Sequence, residues 1–166
     1  MKVRVISFFA AIIICLLSLC SCGEEKYDPK KFIVGDLTIE LTDGFKREFS
    51  ENYDAVYTSR KIGVYIKREK FTDLKSEEKP ASELKPSDYA QGIIDGSKLN
   101  TTVKTSMGRT TFTYEVHVDS EWYTFYALVY KSSDSFWLVQ FATKSDSFES
   151  QFEAINDFAW SVEFAS

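Results

Sequence analysis

The chain has little cysteine, and none of it falls where a folded domain would use it. Its three cysteines, Cys15, Cys20 and Cys22, all lie near the N-terminus of the 166-residue sequence. Everything after Cys22 therefore lacks a thiol, which excludes internal disulfides, a thiol nucleophile and a cysteine-ligated zinc. The folded part must depend on its hydrophobic core for stability.

Catalytic motifs are also lacking. Histidine occurs once, at His117, and the sequence contains neither a Gly-x-Ser-x-Gly turn nor a glycine-rich phosphate loop. A single histidine is a thin basis for a catalytic triad. We therefore predict a non-enzymatic protein that needs no cofactor.

Basic residues are too few for a polyanionic partner. The formal net charge is −5, and it becomes −7 once Lys2 and Arg4 are removed with an N-terminal signal. Phosphate neutralisation needs clustered Lys and Arg side chains, so nucleic acid is not an expected partner. The same acidity predicts that lipid alone, and no electrostatic adhesion, holds the protein to a membrane.

An N-terminal targeting signal is what the chain does have. Lys2 and Arg4 precede an apolar run over residues 5–19, which is shorter than the about 20 residues of a membrane span and typical of a signal peptide. The run ends in Leu19-Cys20-Ser21-Cys22, which reads as a bacterial lipobox because an aliphatic residue stands three places before Cys22 and a small one directly before it.

The lipobox predicts cleavage after Ser21 and lipid on Cys22. We expect a signal peptide at 1–21, a lipidated cysteine with a flexible tether at 22–31, and a single domain at 32–166. The protein would be held on the extracytoplasmic face of the cell membrane by two or more acyl chains. An uncleaved transmembrane anchor and an ordinary secretory signal are the alternatives.

Strand patterns dominate the domain. Helices are predicted at 88–99, with Ser87 as N-cap, and from Phe148 onward, with Ser147 as cap, because apolar residues recur there at intervals of three and four. The Lys-, Glu- and Ser-rich segment 70–85 is predicted to be a mobile loop. Strands are predicted at 32–34, 37–41, 55–58, 62–67, 101–106, 110–119, 121–131 and 135–144.

The apolar faces of these strands indicate how they are arranged. Residues 122–130 and 136–143 are apolar on both faces, which is typical of central strands covered on both sides. The strand at 110–119 alternates polar and apolar residues, so its polar side should face water. The sequence predicts an α+β domain, a twisted antiparallel β-sheet covered by helices.

Three segments resemble the PsbP-like fold family. They are the opening hairpin running into residues 41–45, the aromatic strand 134–141 and the closing helix, which begins at 148–152 and ends at 159–164. The family includes an extrinsic photosystem II subunit, a small eukaryotic Ran-binding protein and DcrB-type envelope lipoproteins. The resemblance implies an α/β/α sandwich that assists or docks onto something larger, without shared catalysis.

One polar cluster could carry chemistry. Glu115, His117 and Asp119 alternate along one predicted strand, so their side chains would project from the same face. Such a set could bind a hard cation or act in acid–base chemistry. A solvated strand face is the alternative, and it requires no ligand.

Aromatic residues allow two interpretations. The chain has 14 Phe, 9 Tyr and 3 Trp, which can fill a core that lacks disulfides. Trp122, Tyr126 and Tyr130 share one strand face, where they could instead meet a partner, because Tyr and Trp serve well at interfaces.

These features lead to one functional hypothesis and one alternative. We expect a membrane-anchored lipoprotein domain that binds a protein or envelope component through an exposed sheet edge, the 70–85 loop or an aromatic patch. The alternative is a carrier of a small ligand or metal ion, with its pocket between sheet and helix. The sequence leaves the oligomeric state open.

Overall fold

The computed structural model describes residues 27–74 and 79–165. The predicted signal peptide 1–21, its cleavage site at Ser21 and the lipidation site at Cys22 lie outside these residues. No helix in the described part is long and apolar enough to cross a bilayer. The elements are, in chain order, β1 (Pro29–Val34), β2 (Leu37–Thr42), β3 (Lys46–Glu48), β4 (Ala55–Thr58), β5 (Gly63–Lys70), a 3-10 turn (Ala81–Glu83), α1 (Pro86–Ser97), β6 (Lys104–Ser106), β7 (Arg109–Val118), β8 (Glu121–Lys131), β9 (Ser135–Lys144), a 3-10 turn (Ser145–Ser147), α2 (Phe148–Trp160) and β10 (Glu163–Phe164).

A seven-stranded antiparallel sheet forms the centre of the domain. Its strand order is β3-β4-β5-β9-β8-β7-β6, which puts β9 and β8 in the interior. Helix α1 covers one face of this sheet through Tyr89 and Ile93, while α2 covers part of the other through Ile155 and Ala159. The predicted α+β class and the predicted central position of the two doubly apolar strands are confirmed.

A second sheet of three strands, with the order β1-β2-β10, lies on the same side as α2. The hairpin of β1 and β2 turns at Gly35 with φ +60°, where a Cβ atom would lie 3.3 Å from the ring of Trp137. Leu37 and Ile39 of β2 are fully buried against the large sheet. The hairpin was predicted. Its separation into a small sheet completed by β10 was not, because two-residue strands leave no periodic pattern.

The first helix starts two residues earlier than predicted. Pro86 occupies the first helical position, where its fixed φ suits the helix, so Lys85 and not Ser87 is the N-cap residue. The Asp88 carboxylate accepts the Lys85 backbone N–H at 3.0 Å. The helix ends at Ser97 and not at residue 99, because Lys98 adopts a left-handed conformation with φ 53°.

The second helix follows its predicted period, and Ser147 is its N-cap residue as predicted, but the side chain of this residue does not cap the helix. Ile155 and Ala159 are its buried residues, as their spacing requires. The Ser147 hydroxyl makes no capping bond to the helix. It donates to the Asp146 carboxylate at 2.9 Å instead, within the 3-10 turn that precedes the helix.

The described parts of two segments predicted to be irregular are more ordered than expected. The predicted tether covers 22–31, but β1 begins at Pro29, which pairs with Thr42. Within the 70–85 segment, Lys70 belongs to β5, and the Phe71 ring meets Phe136 with centroids 5.2 Å apart. Core contacts therefore hold the described parts of a segment that its polar composition marks as a loop.

A lysine of β8 binds the end of that segment. The Lys131 ammonium donates to the backbone carbonyls of Ser82 and Leu84 at 2.7 and 2.9 Å. Leu84 is buried.

The strand predicted at 101–106 is shorter than expected, because only its last three residues, β6, pair with β7.

Candidate functional site

The edge of the large sheet is open along most of β7. Strand β6 pairs with β7 only as far as Thr111. In the described part of the chain, β8 is the one strand that pairs with the stretch beyond that point. The sheet therefore ends here in exposed backbone rather than in a covering strand.

The hairpin geometry fixes which backbone groups face outward. Asp119 and Ser120 form a two-residue turn with φ 46° and 71°, as in a type I′ hairpin. Residues flanking such a turn exchange hydrogen bonds, and every second pair beyond them does the same. The N–H and C=O groups of Thr113, Glu115 and His117 consequently point away from β8.

The polar residues predicted as a cluster have separate partners. The Thr124 hydroxyl lies 3.4 Å from the Glu115 carboxylate and 2.8 Å from Ser145 Oγ. His117 packs against the Trp122 ring with centroids 4.9 Å apart, and Asp119 lies in the turn. No group of three or more His, Cys, Asp or Glu side chains within the described ranges is placed to hold a metal. What these residues form is a polar, solvent-facing strand.

The three aromatic residues of the predicted patch differ in accessibility. Trp122 is 54% exposed. Tyr126 is half-buried against Phe152, with ring centroids 5.4 Å apart in an edge-to-face arrangement. The Tyr130 hydroxyl donates to the Ala159 carbonyl at 2.9 Å, and burial raises the pKa of this phenol. Only Trp122 is thus open to a partner, and Tyr130 instead holds α2 on the sheet.

Helix α2 adds aromatic residues that the sequence analysis missed. Phe152 is 38% and Trp160 53% exposed, and Phe148 contacts Phe152 with centroids 5.6 Å apart. These rings lie four and eight positions apart, beside the buried stripe of the helix. The sequence shows this spacing, but the buried residues of the helix recur with the same period. The pattern alone therefore does not separate the exposed rings from the core residues.

An open groove runs between these features. Its volume is about 820 Å³, and it lies between the end of α1, the strands β7 and β8 and the start of α2. Trp122 and Phe148 supply apolar surface, while Glu115 and Glu149 supply carboxylates and Lys98 a single ammonium group. We call Trp122 and Phe148, together with the Phe152 ring that contacts Phe148, the groove aromatics. The groove offers flat ring surface and negative charge to whatever binds there.

Trp160, the other exposed tryptophan, contacts an arginine of β7 and does not line the groove. The Arg109 guanidinium stacks over the Trp160 ring, 3.3 Å from its centroid. Because Arg109 starts β7 and Trp160 ends α2, this cation–π contact fixes the helix end against the sheet.

Titratable groups with clearly perturbed pKa values lie mostly away from the groove. Burial raises the pKa of Glu69, which lies beneath α1 near Tyr89. Backbone and lysine hydrogen bonds lower the pKa of Asp88 at the start of the same helix. Tyr114 is the one such residue that lines the groove, and burial raises its pKa. It is bound within the core to Gln140, so it offers no acid or base to a ligand.

Comparison with known proteins gives a fold. No protein-family profile and no curated protein sequence matches this chain. Cyanobacterial PsbP from Synechocystis sp. PCC 6803 superimposes with a TM-score of 0.56 at 14% identity, covering 89% of this chain and 99% of its own.

Two further solved structures agree. LpqN of Mycobacterium tuberculosis, described as involved in cell envelope biogenesis, gives a TM-score of 0.51 at 10% identity and covers 86% of this chain and 93% of its own. The Saccharomyces cerevisiae Ran-binding protein Mog1p gives 0.50 at 12% identity, over 84% and 96%. Identities this low establish architecture and not function: the chain has the PsbP-like fold.

Proposed function

We propose that this protein is a non-enzymatic, lipid-anchored domain of the bacterial cell envelope that binds a protein or envelope component at the groove aromatics. The observation that carries the proposal is the exposed ring of Trp122, which lines an open groove with Phe148 next to a strand edge, while the exposed Phe152 ring contacts Phe148. Exposed aromatic rings that lie together are typical of interaction surfaces, whereas single exposed apolar residues are common on any protein surface.

The proposed anchor fits the position of the domain. Tyr27 is the fifth residue after Cys22 in the sequence. Five extended residues span at most about 18 Å. A lipid on Cys22 would hold the domain close to the membrane, where a partner in the same envelope meets it often. LpqN, a structural neighbour, is described as acting in cell envelope biogenesis, which supports the same setting.

A small-ligand carrier is the second candidate. The volume of the groove, about 820 Å³, lies within the usual range for ligand pockets. The groove is open, however, and its carboxylates of Glu115 and Glu149 belong to different elements. A metal carrier would need a convergent set of ligands, which the groove aromatics do not provide.

Photo-crosslinking in the producing cells tests the proposed surface. A benzophenone amino acid replaces Trp122 in the full-length chain, and the same amino acid replaces Phe49 in a matched control. Phe49 is 84% exposed and follows β3, at the opposite edge of the large sheet. Adducts with a defined envelope component should form from position 122 and not from position 49.

The outcomes separate the candidates. Equal adducts from both positions would show non-specific contact and contradict the proposed surface. An absence of macromolecular adducts at 122 would favour the carrier, which is then tested by native mass spectrometry of the purified full-length chain. Adducts of the chain with itself are not counted in this experiment.

A further inference from the structure

The open edge of β7 has the properties of an unfinished sheet. Thr113, Glu115 and His117 are exposed, and their backbone donors and acceptors point outward from the last paired strand. Such an edge can pair with another strand, and proteins usually cover it, shorten it or bend it. Strand β7 is ten residues long and only its first few residues are covered by β6.

Pairing with a second copy of the same edge restricts the possible registers. Two identical strands related by a two-fold axis pair antiparallel, and outward-facing residues must meet outward-facing residues. The register is then set by the residue that lies on the axis. Near the middle of the open stretch, the candidates are Tyr114, Glu115, Val116 and His117.

Charge distinguishes these registers. An axis at Glu115 puts two carboxylates directly opposite each other, which is destabilising. An axis at His117 pairs the two imidazoles and sets Glu115 opposite Asp119 of the hairpin turn. An axis at Tyr114 sets His117 opposite Thr111, whose outward side is already paired with β6.

The remaining register is complementary on both faces. With the axis at Val116, each Glu115 carboxylate lies opposite the His117 imidazole of the other copy, where an imidazole N–H can donate to it. On the other face the two Val116 side chains meet each other. Val116 is half-buried and packs at the margin of the core beneath α1, so pairing would complete its burial.

We infer that β7 pairs antiparallel with β7 of a second copy of this chain, about a two-fold axis at Val116, to form a continuous sheet across a dimer. The second copy would lie along the β7 side of the groove, where Thr113 and Glu115 line it, next to the groove aromatics. The inference rests on the proposed function only for the setting at the membrane. Anchoring both copies in one membrane raises their effective concentration and favours a short interface.

Cysteine crosslinking tests the register. Directly opposed residues at a non-hydrogen-bonded antiparallel pair have Cα atoms about 4.5 Å apart, within disulfide range. Val116→Cys is compared with Glu115→Cys, each in the full-length chain in membranes under mild oxidation, with the unaltered chain as background. Val116→Cys should give a thiol-reducible dimer at least several-fold above both the Glu115→Cys chain and the background.

A proline variant tests whether the edge itself is required. Glu115→Pro removes an outward-facing N–H and leaves the bonds between β7 and β8 in place, as proline is tolerated at a sheet edge. Added to Val116→Cys, it should abolish the dimer while the melting temperature stays within a few degrees. A monomeric Val116→Cys chain, a dimer from Glu115→Cys at equal yield, or a dimer that survives Glu115→Pro would each overturn the inference.

Failure here is distinguishable from failure of the proposed function. Envelope adducts from position 122 without a Val116→Cys dimer would leave the proposed function standing and remove the dimer. A Val116→Cys dimer without envelope adducts from position 122 would leave the dimer standing and contradict the proposed function.

Discussion

Gln140 is a polar side chain in the middle of the core, and it makes a quantitative prediction. It belongs to the central strand β9 and is 4% exposed. Its amide Nε2 donates to the Tyr114 hydroxyl at 2.7 Å, and its Oε1 lies 3.4 Å from the Tyr53 hydroxyl. Losing either phenolic partner of this buried amide should therefore lower the free energy of unfolding.

Tyr114→Phe removes one partner without changing the shape of the core. The Gln140 amide then has a buried donor without its acceptor, which costs about 1–3 kcal/mol. For a domain of this size, about 3–4 °C of melting temperature corresponds to each kcal/mol. We therefore expect the melting temperature to fall by roughly 3–12 °C, measured by circular dichroism with urea unfolding as a second probe.

The matched control is Tyr126→Phe. Tyr126 is half-buried and its ring packs on Phe152, so this change should alter the free energy of unfolding by less than about 0.5 kcal/mol. Adding Gln140→Met to Tyr114→Phe removes the orphaned amide. The double variant should lose less stability than the sum of the two single variants, by about 1 kcal/mol. Equal effects of the two Tyr→Phe changes, or strict additivity, would refute the reasoning.

Three further predictions concern charged residues. Arg68→Lys should lower the melting temperature by a few degrees, because lysine cannot reproduce the two 2.9 Å bonds from Arg68 to Asp134 or its stacking over Trp137. Glu69→Gln should raise stability at neutral pH: a raised folded-state pKa means that stability falls as pH rises above the unfolded value, and the variant should lose that slope in melting temperatures taken from pH 4 to 8. Asp88→Asn should have the opposite effect: a lowered pKa contributes stability above the unfolded value that is lost as pH falls through the folded one, so the variant should melt lower at pH 7 and differ least in strong acid.

The sequence predicts the long elements of this fold and misses two of the shortest strands, β3 and β10. Gly35-Asp36 between two apolar runs gives the β1–β2 hairpin, and the doubly apolar faces of β8 and β9 place both strands in the interior. Strands β3 and β10 have three and two residues, which is too short for any period. They form because tertiary packing brings a partner strand alongside.

The predicted and observed ends of elements differ where a single residue outweighs the composition of the segment around it. Pro86 starts α1 before the capping serine, and the polar stretch after Lys70 is held by Phe71 and Lys131 because those side chains reach the core. A polar composition indicates that most of a segment is exposed to solvent. It does not reveal the one or two residues that hold the segment against the core.

The candidate site was predictable in part. Alternation along β7 predicts a polar outer face, and the structure has one. The groove aromatics could not be assembled from sequence, because Trp122 and Phe148 line one groove only when α2 packs on the sheet. Tyr130 shares its strand face with Trp122 but lies under α2, bound to Ala159, a difference that depends on where the helix ends.

The most direct test of the central claim, a lipid-anchored binding domain, is mass spectrometry of the N-terminal peptide from the chain extracted from membranes. The account predicts a first residue of Cys22 carrying a thioether-linked diacylglyceryl group, lost in Cys22→Ser and retained in the matched variant Cys20→Ser. A mature chain that begins elsewhere, or an unmodified Cys22 in a chain that still fractionates with the membrane, would contradict it.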